Sequence, residues 1–155
     1  MQTKLTIATA SLLMASTANA QTDYSAMIAQ NGLQSTEQSL SEITNPSASD
    51  QFALGGVRFL GAIEGALQAL YATDVNREMV EMSDLPFLRL PLPENPEAQP
   101  FQPALIANTF EGALSDLASS LAALDTITDD DDVAVTINTA DIWFDINGNG
   151  MREAG

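Results

Sequence analysis

The residues best placed for chemistry lie at the end of the chain. The stretch Asp145-Ile146-Asn147-Gly148-Asn149-Gly150-Met151-Arg152-Glu153 sets oxygen-bearing side chains at every second position, with glycines between them. Alternate residues of a tight turn can point their oxygens at one centre. A hard cation asks for that arrangement, taking six to eight oxygens at about 2.3–2.6 Å. Glycine supplies backbone angles that a side chain would forbid.

This spacing resembles the calcium loop of EF-hands and of dockerin-type repeats. That pattern uses oxygens at loop positions 1, 3, 5 and 9, glycine at 6, a main-chain carbonyl at 7 and a bidentate Glu at 12. The resemblance implies Asp145, Asn147, Asn149, the Met151 carbonyl and Glu153 as the metal ligands, with calcium as the ion. It covers the last 11 of 155 residues. Two departures weaken it. Loop position 12 would be residue 156, one past the last residue, and Arg152 stands at position 8, where EF-hands carry an apolar residue. Two neutral Asn in place of Asp also lower the ligand charge, so binding is expected to be weak. Asn147-Gly148 and Asn149-Gly150 are turn dipeptides as well, and could reverse the chain without an ion. The motif reads as cut short, which raises the expectation that the chain is the N-terminal part of a larger exported enzyme or repeat protein.

Other chemistries are closed by composition. There is no His and no Cys. Imidazole- or thiolate-dependent catalysis and His/Cys zinc sites are therefore excluded. The only lysine is Lys4, so its removal closes Schiff-base chemistry too. No Walker loop or GxGxxG occurs. A carboxylate pair is trivial among 21 acids and indicates nothing. The expectation is a non-enzymatic chain.

Residues 1–20, MQTKLTIATASLLMASTANA, carry one early charge, a short apolar stretch from Leu5 to Ala15 and an Ala18-Asn19-Ala20 cleavage site. They read as a signal peptide, too short to span a bilayer. The mature chain would begin at Gln21, and the expected compartment is periplasmic or secreted. No later stretch is apolar enough to span a membrane. The whole chain resembles acidic, helical exported bacterial proteins, which implies compartment and fold but no activity.

Charge is extreme: 5 basic residues against 21 acidic ones, net −16. Such a chain repels nucleic acid and anionic lipid, and draws cations or a cationic protein partner.

The elements that must position the loop read as mainly α: three amphipathic helices, a Pro-rich connector and a short C-terminal strand-turn segment. The helical domain is expected over 21–128 and the acidic turn, strand and loop over 129–155. Helix one is expected over 21–43, capped by Thr22 or Asp23, with a stripe of Ala26, Ala29, Leu33, Leu40 and Ile43. Helix two is expected from Ser49 to Thr73, capped at Ser49 or Asp50. Its apolar face would run through Phe52, Phe59, Leu60, Ile63, Leu67, Leu70 and Tyr71. Gly61 and Gly65 predict a close helix approach. Six of the seven prolines fall in 86–103, which cannot be helix and whose apolar residues should lie on the core. Helix three starts after Pro103, and its face of Phe110, Leu114, Leu117, Leu121 and Leu124 should pack on helix two. Asp129 to Asp132 predict a solvated turn. Val133, Val135 and Ile137 alternate as a strand, and Trp143 between Ile142 and Phe144 reads as core.

Overall fold

A computed structural model describes residues 22–74 and 90–152. The expected signal peptide over 1–20, the first part of the Pro-rich connector with Phe87 and Leu88, and Glu153 lie outside the described residues. The fold is mainly α: α1 (Tyr24–Ser41), α2 (Ala48–Tyr71) and α3 (Ala104–Leu124), with β1 (Thr73–Asp74) paired in parallel to β2 (Gln99–Pro100).

α1 starts where Asp23 accepts a 2.9 Å hydrogen bond from the Ala26 amide. It is kinked at Gly32, which has φ 75°. The kink resets the helical phase, so the buried stripe is Tyr24 and Ile28 before it and Leu33, Thr36 and Leu40 after it. Ala26 and Ala29, expected on that stripe, are only half-buried. Thr36 donates to the Gly32 carbonyl at 2.6 Å, so the break leaves no buried acceptor unpaired.

The cap of α2 falls two residues before Ser49, the first of the two expected caps. Ser47 is the cap: its hydroxyl accepts from the Asp50 amide while the Asp50 carboxylate accepts from the Ser47 amide at 2.8 Å. This reciprocal box satisfies two amides at once. Asp50 also accepts from the Tyr24 hydroxyl at 2.9 Å, which ties α1 to α2. Burial pulls the Asp50 carboxyl upward, but the bonds from Ser47 and Tyr24 outweigh it and hold it below the ordinary value.

The core lies between α1, α2 and the end of α3. It contains Tyr24, Ile28, Leu33, Leu40, Ala53, Leu54, Val57 and Ala123. Of the α2 face expected to be buried, Leu67 is buried, while Phe52 and Phe59 are exposed. The close approach falls at Gly55, not at Gly61 and Gly65: a Cβ on Gly55 would stand 2.7 Å from Leu124, whereas Gly61 and Gly65 face open space. Ser120 of α3 donates to the Gly55 carbonyl at 2.7 Å. α3 therefore packs on α2 through small residues, Ser120 and Ala123, with Leu124 beside them. Phe110, Leu114, Leu117 and Leu121 are exposed, contrary to the expected packing.

In the connector, Leu92 is half-buried, while Leu90 and Phe101 are exposed rather than laid on the core. Asp129 to Asp132 are exposed, in a turn where Asp131 accepts from the amide and hydroxyl of Thr128. Those bonds lower the Asp131 pKa. The Val133–Ile137 alternation forms no ladder. The segment runs extended across α1 and α2, pinned by the Ala134 amide to Ser49 Oγ at 2.9 Å and the Asn138 amide to Ser25 Oγ at 2.7 Å. Helix hydroxyls satisfy its amides instead of a neighbouring strand, and only Val135 reaches the core.

Candidate metal centre

The extended segment delivers the Asp145 turn to the side of α2 that carries Glu64 and Gln68. Trp143 sets its height. The indole N–H donates to the Ile28 carbonyl at 2.9 Å, and the ring lies on Gly32, where a Cβ would come 2.9 Å from it. The carbonyl exposed by the α1 kink region and the space left by the glycine thus receive one side chain. Two polar residues of α2 then hold Asp145 by its main chain. Its amide donates to Glu64 Oε2 at 2.7 Å, and its carbonyl accepts from Gln68 Nε2 at 2.6 Å.

Within the turn, amides converge on side-chain oxygens. The Asn149 amide donates to Asp145 Oδ1 at 3.0 Å and to Asn147 Oδ1 at 3.1 Å, which brings those two oxygens together. The Gly150 amide donates to Asp145 Oδ2 at 2.7 Å, and the Met151 amide to Asn149 Oδ1 at 2.7 Å. Gly148 and Gly150 have φ 71° and 75°, the left-handed region that the spacing anticipated. Of the residues marked by sequence, Asp145, Asn147 and Asn149 are gathered on one turn with the Met151 main chain. Glu153 lies outside the described residues. Arg152 folds back to donate to the Ala140 carbonyl at 3.1 Å.

Among the described residues, no group of three acidic side chains converges to hold a metal. The turn instead gathers one carboxylate and two carboxamides, Asp145, Asn147 and Asn149. That set suits a hard, weakly held cation and no soft one.

Glu64 is not among the residues that the sequence marked. It is buried, 8% exposed, against the Asp145 amide. Burial, joined by the nearby Asp145 charge, raises its pKa above the ordinary value and outweighs the amide bond. An acid within an apolar helical stretch was the signal available. Beside it an open cleft of about 450 Å³ is lined by Glu37, Arg58, Gln68, Asp116 and Asp145. Arg58 is committed there, pairing with Glu37 at 2.9 Å and donating to the Ser119 carbonyl at 3.0 Å.

No protein-family profile, curated protein or solved structure matches the chain. Among the described residues, no helix is long and apolar enough to cross a membrane.

Proposed function

We propose that this chain is an exported, non-enzymatic helical protein with a structural or interaction role, whose C-terminal segment clasps α1 and α2 and is fastened by a weakly held calcium ion. The observation that carries the calcium reading is the turn itself: the Asn149 and Gly150 amides hold both Asp145 carboxylate oxygens beside the Asn147 carboxamide. A carboxylate offers about four acceptor sites, and these two amides use two of them. Export is supported by the leader over 1–20 and the Ala18-Asn19-Ala20 site. The two features agree, since extracellular calcium modules work with dissociation constants of about 10⁻⁴–10⁻³ M, whereas in a cytosol a loop of this strength would stand empty. The absence of His and Cys supports a non-enzymatic role, and the net charge of −16 supports a cationic or protein partner.

Calorimetry of the chain with calcium and with chelator tests this reading. At tenfold excess over a millimolar Kd, calcium adds about 1.4 kcal/mol. For a domain of this size that is a rise of about 4 °C in Tm. Asp145→Asn should abolish the rise. An unchanged Tm at 10 mM calcium would overturn the calcium reading, and product retaining residues 1–20 after export would overturn the leader.

A further inference from the structure

Among the described residues, none covers the outward face of the α2–α3 pair, and its composition says what fits it. Ile106 is 54% exposed, Phe110 55%, Leu114 67% and Leu121 58% on α3, and Phe59 is 50% exposed on α2. Phe52 and Leu117 are exposed with them. At about 100° per residue, Phe52, Gly56 and Phe59 lie on the side of the α2–α3 seam away from Arg58. The α3 residues lie on the same side, away from Ser119, whose carbonyl Arg58 reaches at 3.0 Å. The two helices run antiparallel, since Gly55 meets Ser120 and Leu124 while Gln99, just before α3, bonds Ala72 at the end of α2. Both stripes therefore merge into one apolar face.

We infer that this face is the interface of a symmetric homodimer, in which two α2–α3 pairs close into a four-helix bundle. Three observations select a second copy. At about 200 Å² for a fully exposed large apolar side chain, the seven residues leave roughly 700 Å² of surface in water. That exceeds the patch of about 300–600 Å² usual on a monomer and approaches the roughly 800 Å² each partner contributes to a stable interface. The charge pattern agrees: in a chain of net −16, Arg58 and Asp116 line the cleft on the far side of the seam and Glu111 stands at the border of the face, which leaves the centre of the patch uncharged. Two copies can meet there without confronting carboxylates, whereas a basic partner would find no acid within the face. The shape agrees as well. Gly56 lies between Phe52 and Phe59 with nothing within 4 Å of where a Cβ would stand, a notch into which a facing side chain can insert. An antiparallel helix pair with one uncharged face is self-complementary about a two-fold axis.

Sedimentation equilibrium of the full-length chain, produced in an exporting host, tests this. The expected result is a dimer at tens of micromolar, tighter in 0.5 M than in 0.05 M salt as the acidic surfaces are screened. It should persist in chelator, which separates this inference from the calcium reading. Leu114→Glu and Phe110→Glu should each weaken it at least about 100-fold, the cost of burying an unpaired charge at an interface. Because both sites are solvent-exposed, circular dichroism of the variants should show unchanged helix content. A chain monomeric at about 0.1 mM overturns the inference, whether residues 75–89, a lipid surface or another protein covers the face. A dimer indifferent to both substitutions overturns it equally.

Discussion

α2 meets its two helical neighbours in opposite ways. Toward α1 and the C-terminal segment it presents Leu54 and Val57, and the contact is sealed by Ile28, Leu33 and Leu40. Polar bonds then fix the arrangement: Tyr24 to Asp50, Trp143 to Ile28, and Ser25 and Ser49 to the extended strand-like stretch. Toward α3 it presents Gly55, and α3 answers with Ser120 and Ala123. Small residues let the backbones approach until a serine hydroxyl reaches a main-chain carbonyl. The large residues of α3 are then turned outward, because one helix cannot bury both its narrow and its wide face against a single neighbour. Side-chain size, not apolar periodicity alone, decides which face a helix offers first.

The sharpest break of this comparison is a pair of matched truncations. Leu67→Ala removes a side chain with no exposure and should cost about 3 kcal/mol, transfer and cavity together. Leu114→Ala removes the same atoms from the outer face, 67% exposed, and should change monomer stability by no more than about 0.5 kcal/mol. Urea midpoints at low micromolar concentration measure both. Comparable losses would mean that the outer face of α3 is covered within the monomer.

A smaller effect sharpens the seam itself. Gly55→Ala would drive a Cβ to 2.7 Å from Leu124 Cγ and Cδ2. Overpacking of this kind costs about 1–3 kcal/mol, and the gain in helix propensity offsets only part of it. Gly61→Ala meets open space and should stabilise by up to about 1 kcal/mol. Thermal unfolding of the two variants should therefore move in opposite directions. The same sign for both would remove Gly55 as the point of closest approach.

The three helices were legible because their periodicity and boundary signals are local: Asp23 and Pro103 mark the starts of two of them whatever they pack against. The turn at Asp145 was legible for the same reason, since Asn147-Gly148 and Asn149-Gly150 favour a chain reversal from their local chemistry alone. Partnership was not legible. Gly55, Gly61 and Gly65 look alike in sequence, and only the position of α3 makes the first a contact and lines the cleft with the others. The C-terminal alternation of Val133, Val135 and Ile137 has strand character, yet its amides are taken by Ser49 and Ser25 on helices. Those serines carry no mark that distinguishes them from other helical serines. Glu64 was hidden likewise: its partner is a main-chain amide 81 residues away.

The least costly of the polar bonds on the α1 side gives a test that titrates. Tyr24 is buried, and burial together with the Asp50 carboxylate pushes its pKa up to about 12. A raised folded value means that its contribution is complete below the ordinary 10.0 and is lost as pH rises through about 12. Asp50 behaves in the opposite sense. Its folded value is lowered, so its contribution is present above 3.8 and is lost as pH falls through the lower folded value. Tyr24→Phe deletes the bond between them and should cost about 1 kcal/mol at neutral pH. The difference between wild type and variant should then be greatest between pH 5 and 9 and narrow at both ends, on the acid side as Asp50 protonates and on the alkaline side as Tyr24 ionises. Differences in urea midpoint across pH 3 to 11.5 isolate this pair, because groups common to both chains cancel. A difference that stays constant over that range would mean that Tyr24 seals the core through its ring alone, and that the α1 side, like the α3 seam, is held by shape rather than by charge.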